Sequence, residues 1–415
     1  MQSFLSLLVS FNKGVRFVTP LNVFYFSAII ISIGNIIGQT NGLGDNNINS
    51  YMIPAHIPDA TLIWCIGACS IFMGYMFFSE KNYFPSVRLD ISAKSARTLF
   101  TYLLVLAIFS QSLNTFLSFL GSLTKLLYLL GAVGVMFYAR LWGATSDRKY
   151  ATYCLLLFVI NTFSALTNSY LRAEILMPSV ILFAGYFVGK GHIRALFSYR
   201  VLPFVLIFGA FIMAFSTLGK YRSNFGAVFA QELFTESKDE SEDLYDTEED
   251  KEGSFLERSA VIAQLSNVVK LTVDNGFYDG VVSAPVVAAL IPRFLWPEKP
   301  LVQVGQWFAV EIGTAFYTDG HANNSINMTI PGQCYLDFGW LGVVIGCFLF
   351  GGFVSVMWNS IEFYSSPYNI IGILFGGYIL LVSYGIGADL QLVVTYISTY
   401  LMLFAIKKLI TLYFT

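Results

Sequence analysis

Apolar runs of about twenty residues recur along this 415-residue chain, and a run of that length crosses roughly 30 Å of hydrocarbon as a helix. Inside a bilayer every backbone N–H and C=O must find its partner within the protein, which leaves helices and closed barrels. The runs here are continuously apolar rather than alternating, so they predict helices. Ten are read, near 18–38, 59–79, 98–120, 124–139, 150–167, 175–189, 201–218, 337–357, 368–386 and 388–406. Composition agrees. Hydrophobic residues make up 56% of the chain and charged residues 12%, against about 25% charged in a soluble domain. So little charge cannot coat a water-facing surface, and a soluble globular enzyme is excluded. The sequence predicts an all-α polytopic membrane protein.

Lys and Arg set the orientation. With the N-terminus inside, the short cytoplasmic segments hold fourteen of the 24 basic residues and the short outer loops hold two, Lys125 and Arg172. Both termini are therefore expected in the cytoplasm. The chain divides into seven spans within 1–218, a long outer loop at 219–336, and three spans within 337–415. The sixth span carries Pro178, which predicts a tilted, broken or protein-shielded helix. Residues 281–292 (VVSAPVVAALIP) reach only about 18 Å as a helix, too short to cross; an interfacial or re-entrant element is expected there. Residues 256–272 place Val261, Leu265, Val268 and Leu271 on one helical face, with Arg258, Gln264 and Asn267 largely off it. The five cysteines form no disulfide framework. No small-x-small cleavage site follows the first apolar run, and no solenoid repeat is present.

The outer loop carries the chemistry. Its stretch 235–254 (TESKDESEDLYDTEEDKEGS) is acidic and nearly free of aliphatic residues, and it reads as a solvated disordered insert. Residues 232–257 hold twelve acids and two bases, leaving 22 bases against 14 acids elsewhere. Around the insert stand GKYRSNF at 219–225, LERSAVIAQ at 256–264, IPRFLWPEKP at 291–300 and HANNSINMTIPGQCYLDFG at 321–339. Arg222, Arg258, Arg293 and Lys299 are thus set among aromatic residues beside the outer membrane face, together with Arg172 in a tight outer turn. A guanidinium binds phosphate bidentately, and two or three of them could hold a pyrophosphate. Singly, each is equally a lipid-headgroup anchor. Tyr221, Trp296 and Tyr335 offer ring faces that suit sugars, although aromatic belts are a common feature of membrane interfaces. Arg293 carries the most weight. Pro292, Pro297 and Pro300 fix the backbone around it and present Arg293, Trp296, Glu298 and Lys299 from a rigid turn. His321 lies in a polar stretch on the same side, where a neutral imidazole could take a proton from an attacking hydroxyl; Glu298 and Glu311 are the rival bases. Outside the acidic insert the loop has no Asp-x-Asp pair, and neither a metal nor a cofactor is expected.

These features together resemble the Wzy-type polymerases of O-antigen and other oligosaccharide repeat units. The resemblance rests on Leu171-Arg172-Ala173 in a short outer turn, the large outer loop, Pro-Arg-Phe-Leu-Trp-Pro-Glu-Lys-Pro at 292–300, and Pro331-Gly332-Gln333, Tyr335 and Phe338-Gly339 leading into a span. It covers roughly residues 168–358. Arg293 and Gly305 stand slightly further apart than the family's Arg–Gly pairs. The resemblance implies a GT-C-like, metal-independent glycosyltransferase in the bacterial cytoplasmic (inner) membrane. It would join undecaprenyl-pyrophosphate-linked glycans at the periplasmic face, with Arg293 and His321 in catalytic roles. Arg172, Arg222, Arg258, Lys299, Tyr221, Trp296, Glu298 and Tyr335 would bind substrate. Partners implied are the lipid-linked donor and acceptor glycans, the bilayer, a chain-length regulator and a flippase, with no nucleic acid. An O-antigen ligase, which uses a lipid A core acceptor, is the nearest alternative. A lipid-linked oligosaccharide flippase is a further one, but it predicts charges buried inside the spans, and these spans carry almost none.

Overall fold

The computed structural model describes residues 19–41, 52–80, 82–116, 122–168, 172–191, 261–289, 291, 296, 304–318, 321–322, 325–382 and 390–414. Among these residues the helices are α1 (Pro20–Asn41), α2 (Ile57–Phe78, led in by a 3-10 turn at Pro54–His56), α3 (Ala93–Phe116), α4 (Ser122–Thr145), α5 (Arg148–Asn168) and α6 (Arg172–Lys190). They continue with α7 (Ile262–Asn275), α8 (Ala284–Ala289), α9 (Val304–Glu311), α10 (Ile330–Ser360), α11 (Ile370–Val382) and α12 (Gln391–Phe414). A two-residue ladder, β1 (Tyr317–Thr318) with β2 (His321–Ala322), is antiparallel. Among the described residues, four helical stretches are long and apolar enough to cross a membrane: Pro20–Ile37, Pro54–Phe78, Ile330–Ser360 and Gln391–Leu409. The chain is a helical membrane protein. Each expected span that falls on described residues meets a helix; the one at 201–218 lies outside them.

Apolar residues cover these helices on all sides. On α2, Ile63, Trp64 and Ile71 are buried while Leu62, Met73 and Phe77 are exposed. An inward apolar face and an outward apolar face are what a helix between protein and lipid requires.

Small residues set the closest packing. On α2, a Cβ at Gly74 would run into the Phe348 carbonyl; on α10, one at Gly351 would run into the Ile71 carbonyl. Lipid supplies no hydrophobic drive between helices, so close backbone approach and dispersion hold them together. These contacts pair rising numbers with rising numbers, from Gly67 beside Cys347 to Ser79, whose carbonyl accepts from Asn359 Nδ2. Hence α2 and α10 run parallel. Helices α4 and α6 repeat the device, with Gly185 against Met136 and Gly189 against the Arg140 carbonyl. Helix α6 runs unbroken through Pro178, and Ile181, Leu182 and Tyr186 are buried. Of the outcomes expected for this short segment, the break is absent and shielding by protein is seen at these residues.

One element departs from the sequence reading. The span predicted at 337–357 belongs to a helix that begins at Ile330, and the chain reverses direction inside it. Phe338 and Gly339 leave helical geometry, with Gly339 at φ 61° and ψ −147°. Beyond this break Cys334 lies against Gly342 and Gly346, and Pro331 lies against Gly67, ten residues into α2. A straight helix would hold Cys334 and Gly346 about 18 Å apart. Residues 330–337 are therefore a short arm folded back along the stem, 340–360. An unbroken apolar string hides such a reversal, because the break is a matter of backbone angles at one glycine.

At the end of the stem, Asn369 is fully buried and ties two segments together. Its Oδ1 accepts from Leu89 N and Gly372 N, and its Nδ2 donates to the Ile361 and Glu362 carbonyls. Lys407 Nζ donates to the Ser86 carbonyl, and Tyr400 Oη donates to the Pro85 carbonyl. Arg88 pairs with Asp90, and that hydrogen bond holds its guanidinium pKa above the ordinary value.

Candidate functional site

The opposite end of the bundle carries α7, α8, α9 and the arm of α10. Helix α7 begins where Asn35, deep in α1, offers its Oδ1 to the backbone N–H groups of Val261 and Ile262 at 2.7 and 3.1 Å. Two backbone donors at a helix start are thus met by a side chain from another helix. Val261, Leu265, Val268 and Leu271 are all buried, as their periodicity predicts. Leu265 and Val268 close on Gly332 of the arm. Asn267, placed off that face by the sequence, is also buried, and its Nδ2 donates to the Ala263 carbonyl.

After α7 the chain turns over 276–283 and enters α8, six residues long. This turn, which leads into the stretch 281–292 expected to be interfacial or re-entrant, hangs on the arm of α10. Tyr278 N and Asp279 N donate to the carbonyls of Leu336 and Asp337 at 3.1 Å. The Asp337 carboxylate is fully buried and takes three hydrogen bonds from the turn. Val282 N reaches Oδ1 at 3.1 Å, Ser283 N reaches Oδ2 at 3.0 Å, and Ser283 Oγ reaches Oδ2 at 2.5 Å. One helical turn earlier, Gln333 is buried as well. Its Nε2 donates to the Val282 carbonyl at 3.4 Å, and its Oε1 accepts from Leu390 N at 3.0 Å. Buried polar groups so placed are costly unless every one is paired, and here the amide and the carboxylate are.

Aromatic rings line this end. Tyr335 is buried, edge-on to Phe277 (centroids 5.9 Å apart) and to Trp340 (5.2 Å). Tyr278 meets Trp307 of α9 edge-on at 5.5 Å. Phe277, Phe338 and Trp296 are exposed. Helix α9 packs beside β2, and Ile326 N donates to the Gly305 carbonyl at 3.0 Å. A Cβ at Gly305 would lie 2.6 Å from Ser325 Oγ and 3.1 Å from the Ile326 carbonyl, so the two segments cross closely.

Of the residues singled out by sequence, His321 is in β2, paired with Thr318. Arg172 is the first residue of α6, Trp296 is exposed after α8, and Tyr335 is inside the arm. Glu311, a rival base, ends α9 and is exposed. Tyr221, Arg222, Arg258, Arg293, Glu298, Lys299 and the acidic insert lie outside the described residues. Among the described residues, no group of three His, Cys, Asp or Glu side chains is placed to hold a metal ion.

The structure adds Asn35, Ser283, Gln333 and Asp337, which the sequence reading did not single out as site residues. Asp337 did leave a signal: it is the only Asp, Glu, Lys or Arg between His321 and Glu362. A lone carboxylate at the head of an apolar run marks a buried partner more often than an exposed surface.

Neither the curated proteins nor the solved structures include a match to this chain. One family model does match, described as a domain of unknown function (DUF8712), over residues 17–413. That stretch takes in the described helices except the last residue of α12, the reversal at Phe338–Gly339 and residues 219–336, so the chain belongs to the DUF8712 family.

Proposed function

We propose that this protein is a polysaccharide polymerase: a GT-C-like membrane glycosyltransferase that joins undecaprenyl-pyrophosphate-linked repeat units at the periplasmic face of a bacterial inner membrane. The observation that carries the reading is the anchoring of residues 277–283 on Gln333 and Asp337. The chain enters the proline-bounded string 292–300 from a fixed base at one end of the membrane body. Catalysis by placed cations needs such a base.

Topology supports the same reading. Parallel packing of α2 and α10 requires an odd number of crossings between them. The five spans read between 98 and 218 satisfy this; a sixth at 281–292 would make the two helices antiparallel. Ten spans, with both termini cytoplasmic and the loop 219–336 outside, fit the packing.

In the reaction, a terminal hydroxyl of one lipid-linked glycan attacks the anomeric carbon of another. A C–O bond forms, the bond to the lipid pyrophosphate breaks, and the pyrophosphate leaves with its charge. Arg293, with Arg172, Arg222, Arg258 and Lys299, meets that charge, and His321 takes the hydroxyl proton. Tyr221, Trp296, Glu298 and Tyr335 bind or orient the sugars. A flippase supplies the lipid-linked units, and a chain-length regulator acts alongside.

The test is reconstitution of the purified protein with lipid-pyrophosphate-linked repeat units and no nucleotide, beside Arg293→Ala and Arg293→Lys. The wild-type protein gives a ladder; both variants lose most of it, because the point charge of Lys does not replace a planar fork. Normal polymer from Arg293→Lys contradicts the assignment. Transfer to added lipid A core without a ladder makes the protein a ligase.

A further inference from the structure

We infer that Asp337, with Gln333, is a positioning latch that sets the outer loop for turnover. The inference rests on the polymerase reading for its activity arm, but its structural arm stands alone. Residues 333 and 337 are one turn apart on the arm of α10, so both face the same neighbour. That neighbour is the turn leading into α8. Asp337 fills both carboxylate oxygens with donors from Val282 and Ser283, and its own carbonyl accepts from Asp279 N. Gln333 adds the Val282 carbonyl on one side and Leu390 N, at the start of α12, on the other.

The arm is itself fixed. Thr329 Oγ1 accepts from Gly332 N, capping its start, and Pro331 is wedged against Gly67. Asp337 is thus a rigid post, and the turn is the part it holds. Nine residues separate Ser283 from Arg293, with α8 filling six of them. Releasing the turn frees the base of the string that carries Arg293, while the helices of the membrane body keep their own contacts. Asp337 touches no described residue proposed to react with the sugar, so its role is to position the loop.

Asp337→Asn keeps the volume but turns one acceptor into a donor facing a backbone N–H. In wild-type and variant protein in detergent, amide exchange is followed on peptides covering 279–289, α2 and the stem. The expected result is exchange about tenfold faster over 279–289, with α2 and the stem unchanged. In the reconstituted reaction kcat falls while KM holds, since what is lost is alignment rather than affinity. Ser283→Ala, which removes one bond of three, gives a smaller change of the same kind.

Rescue separates position from charge. Ser283→Cys with Asp337→Cys, in a chain where Cys65 and Cys69 are alanine, is oxidised by copper–phenanthroline to a disulfide, joining the same two segments without a carboxylate. Slow exchange and turnover both return on oxidation and are lost again in dithiothreitol. Unchanged exchange in Asp337→Asn overturns the latch. Faster exchange with normal turnover overturns its role in activity, as does a disulfide that restores exchange but not turnover, which would make the carboxylate itself necessary. If wild-type protein makes no polymer, the polymerase reading fails, and the exchange and cross-linking still decide the latch.

Discussion

Gly339 shows how much of this architecture can rest on one residue. Its φ of 61° and ψ of −147° lie where side chains are strained, and a Cβ there would sit 2.8 Å from the Phe277 ring. Backbone held in such a region costs a residue with a side chain about 1–3 kcal/mol. Gly339→Ala is therefore expected to lower the thermal unfolding midpoint of the detergent-solubilised protein and to loosen the arm first. Amide exchange over 330–337 reads the second effect; wild-type protection there would show that the reversal tolerates a side chain. The same residue marks where sequence reasoning stops. Phe338-Gly339 was visible as a string leading into a span. Its backbone angles were not, and with them went the arm, its clasp on 277–283 and the meaning of Asp337.

Helices were legible as elements because apolar length and periodicity dictate them, whatever their neighbours do. Val261, Leu265, Val268 and Leu271 fall on one face of α7 by spacing alone, and all are buried. What starts that helix is not local. Its first donors are met by Asn35, more than 200 residues away in sequence, and an amide in a span reads from sequence only as a neutral polar residue. Asn35→Ala removes the acceptor that the Val261 and Ile262 N–H groups share. A buried unpaired group costs about 1–3 kcal/mol, and each 1.4 kcal/mol is about tenfold in an opening equilibrium. Exchange over 261–266 is expected to accelerate accordingly, with α4 and α6, which pack on each other through Gly185 and Gly189, unaffected. Equal protection in variant and wild type would mean that another group caps α7. For the candidate site, the sequence supplied Arg293 and His321 as chemistry. It could not supply the buried Asp337–Ser283 and Gln333–Leu390 pairs, since partners distant in sequence leave no periodic trace.

Across the whole molecule, charge and structure are divided in the same way. Both ends of the described body are stitched by buried side chains: Asn369 at one, and Asn35, Gln333 and Asp337 at the other. The acidic stretch 235–254 lies in sequence between spans and latch, with few residues able to join a core. On the polymerase reading, twelve acids within 232–257 would meet the negative charge of a lipid pyrophosphate unfavourably, so a place in the site would oppose donor binding. If the insert is a solvated excursion, removing it should cost little stability and should not slow polymerisation. Deleting 236–252 joins Thr235 to Gly253 and leaves every anchoring residue in place. The shortened protein is expected to insert, to melt near the wild-type temperature and to give a ladder of wild-type length. Loss of the ladder in a stably inserted deletion would instead place the acidic stretch inside the working site, holding acceptor hydroxyls or the chain-length partner.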